Sequence, residues 1–199
     1  MERVFKVVVI GDMLVGKTSF IQRYSRNLFT EDYRMTIGVD FASKVLSWSE
    51  KETVRLHLWD VAGQENLMSV TDMYYRGASG CVVMFDVTSR KSFQNAASWK
   101  QDMDSKTMLP ENRPVPCLLL ANKCDLRRPA VTQGDIERFS DEHGFLAWKV
   151  VSVKKNKNIS ESMTILVQNM MTWEDLQMSC REESCTKFLS QETKPRSCC

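Results

Sequence analysis

The sequence predicts an α/β fold: a six-stranded, mostly parallel sheet with helices on both faces. Strand-like and helix-like segments alternate along most of the chain, the order of a parallel sheet with crossover helices. Several strand-like runs are continuously apolar and rich in β-branched residues, as strands buried on both faces are. A glycine-bounded octet, Gly11-Asp12-Met13-Leu14-Val15-Gly16-Lys17-Thr18, joins the first strand to the first helix. The 199 residues suit one domain with a tail. A core of that size needs no disulfide staples.

The first strand covers 4–10, where Phe5-Lys6-Val7-Val8-Val9-Ile10 is apolar and β-branched. The octet follows and matches G-x-x-x-x-G-K-[ST], and residues 17–26 continue as a helix. Strand, glycine loop and helix together make a phosphate cradle. Loop N–H groups wrap the phosphate, and the helix N-terminus adds positive potential. The cradle is built from Met13, Leu14, Val15, Gly16, Lys17, Thr18 and Ser19. Lys17 reaches the β- and γ-phosphates, and the Thr18 hydroxyl holds Mg²⁺. Kinases, ATPases and GTPases share this loop, so it does not by itself choose a nucleotide.

Segments 38–48 and 52–60 read as a hairpin-like pair, and Val54-Arg55-Leu56-His57-Leu58-Trp59 alternates as a half-exposed strand does. That strand ends in Asp60-Val61-Ala62-Gly63-Gln64-Glu65. Asp60 approaches Mg²⁺ through a water, the Gly63 N–H binds a γ-phosphate, and Gln64 orients an attacking water. Thr36, in Tyr33-Arg34-Met35-Thr36-Ile37-Gly38, precedes the pair. A loop threonine that reaches Mg²⁺ only when a γ-phosphate is present makes the loop a sensor.

A helix is predicted over 67–77, a strand over 79–86, and a helix over 90–106. Leu109-Pro110-Glu111-Asn112-Arg113-Pro114 is a turn-rich connector to a strand over 115–121. That strand runs into Asn122-Lys123-Cys124-Asp125, at the carboxyl end where open α/β sheets bind ligands. Asp125 accepts hydrogen bonds from the N1–H and 2-amino group of guanine, and the Lys123 stem lies over the base. Adenine lacks those donors and leaves the carboxylate unpaired, which selects against it strongly. A helix over 132–143, a strand over 147–152 and a helix over 158–173 complete a domain of residues 1–173. Residues 174–199 are mostly polar and read as a flexible tail ending in Cys198-Cys199.

These residues resemble the small GTPases of the Ras superfamily, and within it the Rab family, from residue 4 to about 173. Five motifs stand in the family's order: the octet, Thr36, Asp60 to Gln64, Asn122 to Asp125, and Ser152-Val153-Lys154. The last is similar to a loop whose backbone contacts the guanine O6. Phe29 sits where the family places an aromatic ring against the base, and Tyr33 joins the nucleotide-binding set. The resemblance implies a P-loop small GTPase fold, bound GTP or GDP with Mg²⁺, and Lys17 and Gln64 as catalytic residues. It implies an effector face of Ile37, Gly38, Phe41, Trp59 and Tyr74. Trp59 reads equally as a half-buried ring of the sheet. It implies geranylgeranyl groups on Cys198 and Cys199; two lipid chains hold a protein to a membrane firmly where one does not. Effectors, an exchange factor, a GTPase-activating protein, a GDP dissociation inhibitor and a prenylation escort follow as partners. The place of action is the cytoplasmic face of intracellular membranes, with a cytosolic pool. Val61 and the run Val39 to Leu46 resemble the branch tied to the trans-Golgi, endolysosomes and lysosome-related organelles.

Two departures bear on mechanism. Met13 stands where related GTPases carry a small residue, near the γ-phosphate and the path of an inserted arginine finger. It either crowds Gln64 and the finger or, being flexible, folds away. Asn66-Leu67 replaces the Arg-Phe common after G-Q-E, which alters the surface that partners read. A second reading follows: a GTP-binding recruitment platform with negligible hydrolysis. An ATP-using kinase is disfavoured by Asp125 and by the lack of an evident lid domain. The net charge of +2 is too small to argue for nucleic acid. No run approaches the roughly 18 apolar residues that span a bilayer, and no N-terminal signal sequence is visible. Of seven cysteines, Cys81 and Cys117 lie in apolar strands and read as reduced core residues.

Overall fold

The computed structural model describes residues 1–31, 35–63 and 72–192, with side chains as far as Ser179. In chain order the elements are β1 (Glu2–Ile10), α1 (Lys17–Arg26), β2 (Val39–Ser47), β3 (Thr53–Val61), α2 (Asp72–Tyr75), β4 (Gly80–Asp86), α3 (Arg90–Lys106), β5 (Met108–Leu109), β6 (Arg113–Pro114), β7 (Cys117–Asn122), α4 (Gln133–Glu142), β8 (Ala147–Val150) and α5 (Ile159–Glu192). Six strands form one sheet in the order β2-β3-β1-β4-β7-β8. β2 and β3 pair antiparallel, as the hairpin-like reading expects, and the other four pairings are parallel.

Successive residues of β1 face opposite layers, and this splits the core in two. Val7 and Val9 join Phe20 and Ile21 of α1 and Met163, Leu166 and Val167 of α5. Val8 and Ile10 join Phe93, Ala96, Trp99 and Met103 of α3 and Ile136 of α4. Both faces of the central strands are therefore covered, which is why they read as unbroken apolar runs. Cys81 and Cys117 face each other in register across β4 and β7, both buried and free.

Caps set the helix starts. The Ser89 hydroxyl accepts from Ser92 N at the head of α3. Thr132 and Asp135 exchange bonds in a capping box at α4.

The largest difference from the sequence reading is at the C-terminal end. The last helix was expected over 158–173, with a flexible segment beyond; α5 instead continues to Glu192. No glycine or proline interrupts residues 159–194, and Glu, Gln, Leu, Met, Arg and Lys sustain a helix once it is nucleated. The start of the continuation is also tied to the domain. Arg3 of β1 is buried and pairs with Glu52 at 2.9 Å, Asp175 at 2.5 Å and Glu174 at 3.6 Å. The Arg113 guanidinium lies 4.0 Å from the centre of the Trp173 ring.

Smaller differences have local causes. The 109–114 connector folds into the β5–β6 pair around a turn in which Glu111 and Asn112 take left-handed φ of 63° and 57°. The strand expected to reach 152 stops at Val150, and Ser152 bridges instead to Lys157. Of the helix expected over 67–77, residues 72–75 form α2, and 64–71 lie outside the described residues. Among the described residues no helix is long and apolar enough to cross a membrane.

Candidate functional site

The parallel register brings the separated motifs to one edge of the sheet. Val9 pairs with Asp60, Ile10 with Val83, and Asp86 with Asn122, so the segments after β1, β3 and β7 open side by side. This is the carboxyl edge where open α/β sheets bind ligands. The octet passes under that edge. A Cβ at Gly11 would lie 2.2 Å from the Met84 carbonyl oxygen, and one at Gly16 (φ 99°) would lie 2.5 Å from Asn122 Nδ2. Only glycine fits at these two ends. α1 starts directly after Gly16 with no side-chain cap, which leaves its first N–H groups for an anion.

Lys17 is buried at the centre of the octet. Its ammonium donates to the carbonyls of Gly11 at 2.8 Å and Asp12 at 2.7 Å. Burial lowers its pKa to about 8, against the opposing pull of Asp60 and Asp12. Gly63 packs onto this group: a Cβ there would lie 2.5 Å from the Gly11 oxygen and 2.6 Å from Lys17 Nζ.

Beside it stand Thr18, Thr36 and Asp60. The Thr18 hydroxyl donates to Asp60 Oδ2 at 2.5 Å. The Thr36 hydroxyl stands 2.9 Å from that of Thr18 and 3.3 Å from the same Asp60 oxygen. Burial raises the Asp60 pKa, opposed by its hydrogen bond from Thr18 and by the Lys17 charge. The other carboxylate oxygen, Oδ1, is buried and has no hydrogen-bond partner among the described residues. An unpartnered buried carboxylate oxygen next to two hydroxyls fits a hard divalent cation such as Mg²⁺, which takes oxygen donors and completes its shell with water and phosphate.

The base side is held by Asn122. Its Nδ2 donates to Val15 O at 2.9 Å, and its Oδ1 accepts from Val153 N at 3.1 Å, so one buried amide stitches the octet to the 152–154 loop. Asp125 Oδ1 accepts from the Ser152 hydroxyl at 2.5 Å. Lys123, at a left-handed φ of 69°, pairs with Asp86 at 2.7 Å. Burial favours the neutral Asp86 carboxyl, yet Lys123 and Thr88 outweigh it and hold the pKa below the usual carboxylate range. Arg23 lies 5.6 Å from the Phe29 ring and donates to the carbonyls of Val153 and Lys154. Lys154 pairs with Glu31 at 2.6 Å. A cavity of about 800 Å³ is lined by Lys17, Thr36, Phe29, Asn122, Asp125 and Lys154, with Ser19 in its wall. Met13 and Leu14 are exposed at its rim.

The residues expected to form an effector face lie on and beside β2, β3 and α2. Phe41 lies opposite Trp59, their rings 4.4 Å apart and nearly perpendicular at 81°. Ile37 is exposed at 85%, and Tyr74 is half-buried near Gly38. Trp59 is half-buried, packed against the core. Sequence reasoning missed Lys6, whose ammonium sits 3.5 Å over the Trp59 ring and donates to Arg76 O. It also missed the partners of Asp12: Asn95 Nδ2 and Trp99 Nε1 each donate to its carboxylate at 2.8 Å. No local pattern marks contacts that span 83 and 87 residues. Tyr33, Gln64, Asn66, Leu67, Cys198 and Cys199 lie outside the described residues.

Comparison with known proteins agrees with this geometry. The Ras family model matches residues 6–172. The chain is 54% identical over 200 residues to human Ras-related protein Rab-7L1, covering 100% of this chain and 98% of that one. It is 47% identical over 171 residues to mouse Ras-related protein Rab-32, covering 85% of this chain and 77% of that one. With Ras-related protein Rab-32A of Dictyostelium discoideum the identity is 44% over 173 residues, covering 85% and 79%.

Proposed function

This chain belongs to the Ras family, among its Rab-type small GTPases, and from that premise we propose a membrane-attached GTP/GDP switch that recruits effectors in vesicle traffic. GTPases of this family hydrolyse GTP to GDP and phosphate. The observation that carries the reading is the meeting of Thr18, Thr36 and Asp60 around the unpartnered Asp60 Oδ1, next to Lys17. Thr18, Thr36 and Asp60 would hold Mg²⁺ there, and the ion would supply charge neutralisation for the phosphates. Thr36 stands on the loop that leads into β2, so its engagement with the nucleotide orders the surface carrying Ile37 and Phe41. Lys17 leaves its two carbonyls for the phosphates and stabilises charge in the transition state, while Gln64 positions the water. Asp125 and Lys123 select guanine, and Phe29 packs beside it.

Intrinsic hydrolysis is slow on this reading, and an activating protein completes the site. Geranylgeranyl groups on Cys198 and Cys199 hold the protein to trans-Golgi or endolysosomal membranes, a placement that rests on Val61 and the run Val39 to Leu46. An escort loads the lipids, a dissociation inhibitor carries the cytosolic pool, and an exchange factor loads GTP. Residues 174–199 are the spacer between domain and membrane. Met13, half-exposed within the octet, motivates a second reading as a recruitment platform that turns over negligibly.

Binding by the purified full chain tests the site assignment. Wild type is expected to hold GDP and GTP and to ignore ATP, and Lys17→Ala or Asp125→Ala to lose tight binding. Undiminished binding by either variant contradicts the assignment.

A further inference from the structure

Asp12 puts a carboxylate in a loop shaped for phosphate oxygens, which like charge opposes. Its charge is felt in the cradle, where it helps keep Lys17 protonated. Yet both its oxygens are engaged elsewhere. Oδ2 accepts from Asn95 Nδ2 and Oδ1 from Trp99 Nε1, each at 2.8 Å. Both donors are uncharged and stand on α3. Trp99 is 1% exposed, and its indole has a single N–H to give. The backbone of Asp12 meanwhile touches the reacting end: its carbonyl holds Lys17 at 2.7 Å, and its carbonyl carbon lies 2.5 Å from where a Gly63 Cβ would stand.

We propose that Asn95 and Trp99 are positioning residues that hold the Asp12 carboxylate onto α3 and so let the loop accept a triphosphate as well as a diphosphate. The inference rests on the guanine-nucleotide reading of the site. A carboxylate released from either donor turns toward the phosphates, and it opposes GTP more than GDP because GTP carries more charge at the end nearest Gly63. Removing the negative charge removes the need for the donors.

The test is a double-mutant cycle on nucleotide release from the full chain. Trp99→Phe is expected to speed GTP release about fivefold more than GDP release, the scale of one weakened hydrogen bond to a charged group. Asn95→Ala acts in the same direction and serves if the Trp99 variant does not fold. In an Asp12→Asn background the discrimination is expected to vanish, the GTP-to-GDP ratio returning to within about twofold of wild type. A contact that only braces α3 would speed both releases equally, or would keep its effect in the Asp12→Asn background; either result overturns the inference. A wild-type chain that holds neither nucleotide overturns the reading beneath it as well. Tight wild-type binding with equal effects overturns the inference alone.

Discussion

Lys17 is an ammonium kept in the interior by two carbonyls, and burial lowers its pKa to about 8. A bound phosphate restores its charge, so the bound pKa lies above the free one. Between those values binding takes up a proton, and affinity falls as pH rises; below the free pKa the group is already charged and contributes no slope. Calorimetry at pH 8 in buffers of different ionisation enthalpy is expected to show uptake of about half a proton per GDP bound. No uptake there means the free lysine is not depressed. Lys17, Thr18, Thr36, Asp60, Asn122 and Asp125 were all legible in the sequence, because each belongs to a short spacing with a definite chemistry. Asn122 shows the limit of that legibility: its buried amide ties the octet to the 152–154 loop, a role that only the packed structure reveals. The Asp12 contacts were illegible for a related reason. Asn95 and Trp99 are ordinary helix residues until the fold lays α3 against the octet.

Elements were read best where periodicity is strong. The three apolar strands β1, β4 and β7 and the alternating β3 appear with the expected pairing directions, since burial on two faces and on one face leave different patterns. Ends were read less well, because they depend on caps and distant contacts. α5 is the clearest instance: its polar continuation carries no apolar stripe to announce it, and Arg3, 171 and 172 residues before Glu174 and Asp175, anchors its first turn. Arg3→Ala leaves the acidic groups of β3's approach and α5 without their shared cation. It is expected to cost about 1.5–3 kcal/mol, the range for hydrogen bonds to charged groups. Thermal melting reads that loss, and amide exchange is expected to quicken beyond residue 173. Unchanged exchange there would show that Arg3 does not anchor the helix.

At the scale of the whole molecule, the sheet carries a site whose residues come largely from the loops at its carboxyl edge. The core on both faces fixes the carboxyl edge, and with it Lys17, Asp60 and Asn122. Thr36 and Gly63 reach that edge from segments next to the exposed Ile37 and Phe41, so on the proposed reading nucleotide state and partner surface share one piece of chain. A GTPase needs this coupling for its hydrolysis to be read by a partner. Whether Met13 crowds an inserted arginine finger or folds away decides between the two readings, a finger being worth about 10³–10⁵ in rate. The most direct measurement is phosphate release from the GTP-loaded full chain in a single turnover with Mg²⁺, beside Met13→Gly. Slow but measurable release by the wild-type chain, leaving bound GDP, is the predicted result. Stable GTP with no release, restored by Met13→Gly, would contradict a cycling switch and leave a recruitment platform in its place.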